Sequence, residues 1–147
     1  MPGNRSATGL MIIEPRGQYA RRTPVVVDAS VLAATLFDES RRVEAAEALE
    51  GTEAHAPDLL DHELVNVALK KQRAGMGVAA RDALQMLATL EITRHRVDSL
   101  TQWELAARHG LSAYDAAYLA LAVEFGCPLV TFDQKLGAAA RQLLQGD

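Results

Sequence analysis

One cysteine, one tryptophan and five prolines in 147 residues remove several protein classes at the outset. A lone Cys127 excludes an internal disulfide and a thiolate metal cluster. It is expected to be a small buried residue at the head of a strand. Long apolar runs are missing as well: Val130 and its neighbours form only short ones, far below the ~18 residues that span a bilayer. Met11-Ile12-Ile13, set among Arg5, Arg16, Arg21 and Arg22, is too short for the apolar core of a secretory leader. The expectation is a cytoplasmic protein without membrane contact. Excess charge of one sign is also lacking, with a net charge of −4 and a pI of about 5.5. Nothing in the whole-molecule field advertises nucleic acid. Only local basic groups, or metal ions on clustered carboxylates, would reverse the sign where such a substrate docks.

What the chain does have is core material: 49% of its residues are hydrophobic, and its mean hydropathy is −0.01. A chain of this length fits one domain that buries about two thirds of its unfolded surface. Residues 1–23 mix Gly, Pro, Arg and Ser without a period and read as a flexible extension. The domain is expected over residues 24–147.

Within it, Val25-Val26-Val27 is a β-branched run too short for a helix, the mark of a buried parallel strand. Asp28 ends it, and a helix-forming run follows Ser30. Ser40 and Gly51 frame a short helix, Thr52 to Ala56 reads as a strand, and Pro57 to Arg73 as a helix with Leu60, Leu64, Val67 and Ala68 in phase. Further helices are expected over Val78 to Leu90, from Asp98 to about His109, and over Ala113 to Phe125. Short strands are expected within Glu91 to Val97 and over Leu129 to Phe132, and Lys135 to Leu144 closes the chain as a helix. Strands alternating with helices imply a three-layer α/β fold, with a central, mostly parallel sheet of four to five strands and helices on both faces.

Four acids hold places of interest in that order. Asp28 and Asp133 each end a strand and begin a helix, where either is a helix cap or a ligand-binding group at the carboxyl edge of an open sheet. Right-handed crossovers put both on one edge. Asp115 opens the helix that feeds the last strand; Ser112-x-x-Asp115 also has the form of a capping box. Glu63 falls inside an apolar helical stripe, which turns a carboxylate inward, and a buried charge needs a partner or a metal. Carboxylates without histidine or cysteine suit a hard cation, Mg²⁺ or Mn²⁺, and such a site suits phosphodiester hydrolysis. Lys70, Lys71 and Arg73 form a basic group beside Glu63, which either meets phosphates or complements the helix dipole. His109 and Trp103 read more simply as a helix-end cation and as partial core.

VVVDAS, DHELVNVALKKQRAG, SAYDAAYLALA and VTFDQKL resemble, in order and spacing, the acidic motifs of PIN-domain ribonucleases, and the small single-domain size resembles the VapC-type toxins of toxin–antitoxin pairs. The resemblance runs from about Val25 to Leu144. It implies that Asp28, Glu63, Asp115 and Asp133 form the metal-binding catalytic site, with Ser30 and Thr131 supporting it by hydrogen bonds. It further implies Mg²⁺- or Mn²⁺-dependent cleavage of RNA, a cognate antitoxin that wraps the toxin, and a homodimer. Two other readings stand beside it: a binding module of the same fold without catalysis, and a phosphoryl-transfer or receiver-like domain phosphorylated on Asp28. The second lacks paired acids at the first strand end, where Ser30 stands two residues on.

Overall fold

In the computed structural model, residues 4–5, 11–12, 22–37 and 40–146 are described. The expected flexible extension falls largely outside them. Two short strands there, β1 (Asn4–Arg5) and β2 (Met11–Ile12), pair antiparallel.

The domain is built on four parallel strands, β3 (Thr23–Val27), β4 (Thr52–Pro57), β5 (Ile92–His95) and β6 (Leu129–Val130), in the order β5-β4-β3-β6. Val25, Val26 and Val27 are all buried, as expected of a central strand flanked by parallel neighbours. Between β3 and β5 lie α1 (Ala29–Phe37), α2 (Arg42–Leu49), α3 (Leu60–Arg73) and α4 (Gly77–Leu87). Then come α5 (Ser99–His109) and α6 (Ala113–Phe125), and α7 (Gln134–Gln145) ends the chain. The strand order explains the layers. The steps β3 to β4 to β5 move one way across the sheet and the return to β6 moves the other way, so right-handed crossovers put α1–α4 on one face and α5–α6 on the opposite face. α6 packs across β3 and β4 with α7 beside it. Seven consecutive α6 residues, Ala116 to Ala122, are buried, the signature of a helix enclosed on all sides.

Several boundaries differ from expectation for local reasons. Pro57 ends β4 instead of opening α3, because the next amide, of Asp58, donates to the His95 carbonyl of β5 at 2.9 Å. β6 stops after Val130, since the Phe132 and Asp133 amides donate to the Ser30 and Thr131 hydroxyls, at 3.0 and 2.9 Å, and not to a neighbouring strand. α4 ends at Leu87, three residues early, and Arg41, not Ser40, stands at the N-cap position of α2. Trp103 is 67% exposed and is not core. Cys127 is buried. Among the described residues no helix is long and apolar enough to cross a membrane.

Candidate active site

At the carboxyl edge of the sheet, β3 and β6 lie side by side, with Val27 opposite Val130. This pairing brings the segments after the two strands together. The Asp28 amide donates to the Val130 carbonyl at 2.9 Å, so Asp28 is held at the seam. The residue is 4% exposed, and its carboxylate accepts two hydroxyls on one oxygen, Ser30 Oγ at 2.7 Å and Thr131 Oγ1 at 2.8 Å from Oδ2. The same hydroxyls accept the Phe132 and Asp133 amides. Ser30 and Thr131 thereby orient Asp28 and shape the chain leading to Asp133 at once.

Asp133 caps α7, its Oδ1 accepting the Leu136 amide at 2.9 Å. Ser112 likewise caps α6, accepting the Asp115 amide at 3.1 Å. The capping reading therefore holds for Asp133 and for Ser112. It does not exhaust the carboxylates: Asp28, Glu63, Asp115 and Asp133 all line one cavity of about 260 Å³, with Ala29, Ser30, Ala33 and Val67 as its remaining walls. Among the described residues, no basic side chain lines it.

Burial, opposed by the Tyr118 hydroxyl bond and reinforced by the charges of Asp28 and Asp115, raises the pKa of Glu63. Burial also raises that of Asp115, with Asp133 and Asp28 adding to it and Ser112 and Lys135 pulling back. Both shifts report carboxylates that are partly dehydrated and facing one another. Glu63 turns inward as its place in the stripe requires, and Tyr118 Oη donates to its Oε1 at 2.9 Å. Tyr118 is fully buried, and its phenol is held well above the usual range by burial and then by Glu63.

An all-oxygen set of four carboxylates fits a hard divalent cation in chemistry and in charge. Among the described residues, however, no group of three or more His, Cys, Asp and Glu side chains stands ready to hold one ion. The acids surround a cavity without closing on a common centre.

Two clefts adjoin the cavity. Lys70 lines one of about 520 Å³ that shares Glu63 and Val67 with it. Lys71 lines another of about 220 Å³ that shares Ser30, Ala33 and Val67. Arg73 lines none of the three, and neither do His109 and Trp103. Sequence reasoning missed Tyr118, although a tyrosine in an otherwise apolar buried helix, three residues after Asp115, must find a partner for its hydroxyl. It also missed Tyr114 and Asn66 in the first cleft and Arg41 in the second.

A family model described as the PIN domain matches residues 25–142. VapC ribonuclease Mb0985 of Mycobacterium bovis is 42% identical over 119 residues, covering 76% of this chain and 87% of the relative. Ribonuclease VapC3 of Pyrobaculum aerophilum is 34% identical over 120 residues, covering 76% and 91%. In fold, the crystal structure of PAE2754 from Pyrobaculum aerophilum matches with a TM-score of 0.63 at 23% identity, covering 89% of this chain and 95% of that one.

Proposed function

This chain belongs to the PIN-domain family, and from that premise we propose that it is a metal-dependent endoribonuclease, the toxin of a toxin–antitoxin pair. The observation that carries the reading is the cavity itself, in which four carboxylates from separate parts of the chain meet with no basic side chain of the described residues among its walls. Asp28 and Asp133 would hold Mg²⁺ or Mn²⁺ directly, with Asp115 completing the shell. Such an ion supplies a more acidic bound water and stabilises charge on the attacking and leaving oxygens. The chain's own residues do the positioning. Ser30 and Thr131 fix one oxygen of Asp28, and Tyr118 fixes one oxygen of Glu63. That leaves Glu63, at the cavity wall, to orient the attacking water.

The relatives named ribonucleases support RNA as the substrate. A protein partner is supported by an apolar cleft of about 1170 Å³ between α3 and α4, walled by Val65, Leu69, Met76, Val78 and Leu84. Val65, Leu69, Met76 and Val78 are exposed there, and clustered exposed apolar side chains suit an interaction site. The antitoxin, a homodimer and a cytoplasmic location belong to the same proposal.

Purified, partner-free protein should cleave single-stranded or structured RNA with Mg²⁺ or Mn²⁺ and fall silent in EDTA. Asp28→Asn and Asp115→Asn should each lose about 10²-fold or more, the scale of a positioned acid–base or metal-binding group. Equal cleavage by parent and variants would put the site elsewhere. Co-expression with the product of the adjacent upstream gene should give a stable complex; a chain that copurifies with nothing and is harmless when expressed contradicts the toxin assignment.

A further inference from the structure

We propose that the cleft on the Tyr114 side of the acid cavity is a nucleobase subsite, in which the Tyr114 ring stacks on a base of the bound strand. The inference rests on the hydrolytic reading above and extends it to how the strand is held. Tyr114 is 63% exposed, one residue before Asp115, and its ring lines the cleft of about 520 Å³ together with Leu59, Val67, Asn66, His62 and Lys70. Leu59 and Val67 give the cleft apolar wall. Tyr114 adds an aromatic face and Asn66 an amide whose donor and acceptor match the edge of a base. Each base has a π-face that such a ring can stack on, whatever its identity.

Continuity with the acids separates this cleft from an ordinary surface hollow. It shares Glu63 and Val67 with the acid cavity, which in turn shares Ser30, Ala33 and Val67 with the cleft beyond. That second cleft presents Lys71 and Arg41, the Arg41 guanidinium lying 3.5 Å from the centre of the Phe132 ring. A strand laid across the three places a base on Tyr114, a phosphate at the carboxylates, and the next phosphates near Lys71 and Arg41. Bases inside an A-form duplex are stacked and their deep groove is closed to side chains. Only an unpaired nucleotide can reach Tyr114 in this register. A protein segment is the rival occupant, and it fits the apolar α3–α4 cleft better than a hollow with an amide, a cation and an acid in its walls.

Fluorescence anisotropy tests the proposal, using fluorescein-labelled single-stranded RNAs of about 12 nucleotides and a blunt-ended RNA duplex of the same length, in an Asp28→Asn background that withholds cleavage. Tyr114→Ala should weaken single-strand binding about fivefold or more, the scale of one lost base–aromatic stack. Tyr114→Trp should restore it and duplex binding should not change. Asn66→Ala should alter the ranking of oligo(A), oligo(C) and oligo(U). Thermal unfolding should not move for Tyr114→Ala, since the ring is exposed. Undiminished single-strand binding by Tyr114→Ala overturns the subsite. So does a defect confined to assembly with a co-expressed protein, and so does failure of every single strand to bind. If the parent cleaves no RNA while the Tyr114 dependence of binding persists, the hydrolytic reading fails and the subsite stands. If the parent cleaves normally while binding is independent of Tyr114, the subsite fails and the hydrolytic reading stands.

Discussion

Glu63 carries a charge in half-buried surroundings, with the Tyr118 hydroxyl on one oxygen and two further acids nearby. Because its pKa is raised on folding, its contribution to stability is full below the ordinary carboxylate range and is lost as the pH rises through the folded value. In metal-free protein at neutral pH the ionised side chain is therefore a net cost. Glu63→Gln should raise the midpoint of thermal unfolding in EDTA at pH 7, lose that advantage near pH 4, and lose RNA cleavage; a variant no more stable than its parent at pH 7 contradicts the account. Tyr118→Phe keeps the ring but frees Glu63, and should cost about 1 kcal/mol of stability and a larger share of kcat than of KM. The four acids were legible in the sequence because three mark element ends and the fourth breaks an apolar stripe. Tyr118 was not, since it sits in phase with core residues and its partner lies 55 positions away.

Elements are tied to one another by a few polar contacts. Arg94 of β5 grips Asp61 of α3 with Nε to Oδ2 at 2.6 Å and Nη2 to Oδ1 at 2.9 Å. That hydrogen bonding holds the Asp61 carboxyl below the usual range. A depressed acid stabilises the fold above its ordinary pKa and loses that contribution as pH falls through the folded value. Asp61→Asn should accordingly destabilise at pH 7 by on the order of 0.5 kcal/mol, a modest figure because the pair is partly exposed, and the difference should vanish near pH 2. A pH-independent difference would show that packing, not charge, is at stake. Most helices were readable from period and caps: Asp98 accepts the Thr101 amide at 3.0 Å, and Gly110 and Gly126 end α5 and α6 in left-handed conformation. The ends of β4 and β6 were not, because they depend on the His95 carbonyl and the Ser30 hydroxyl, which are remote in sequence, and on a Thr131 hydroxyl whose own partner, Asp28, is remote as well. Trp103 was misjudged for a related reason: helical phase alone does not say which side of α5 has a neighbour.

At the scale of the whole molecule, alternation of strands and helices made the parallel three-layer fold legible, and right-handed crossovers brought Asp28 and Asp133 to one edge. The order β5-β4-β3-β6, which sets those two segments side by side, has no local sequence signal; it comes from which strands bury each other. A net charge of −4 with an acid cavity at the sheet edge gives a molecule that repels RNA unless cations intervene. RNA binding by the parent should accordingly strengthen when Mn²⁺ replaces EDTA, a gain that Asp28→Asn combined with Asp115→Asn should lack. The central claim, that the four carboxylates form a divalent-cation site, is tested most directly by titrating Mn²⁺ into metal-free protein and following free Mn²⁺ by electron paramagnetic resonance. The parent should take up Mn²⁺ and the Asp28→Asn, Asp115→Asn double variant, still folded, should not; equal uptake by the two would contradict the account.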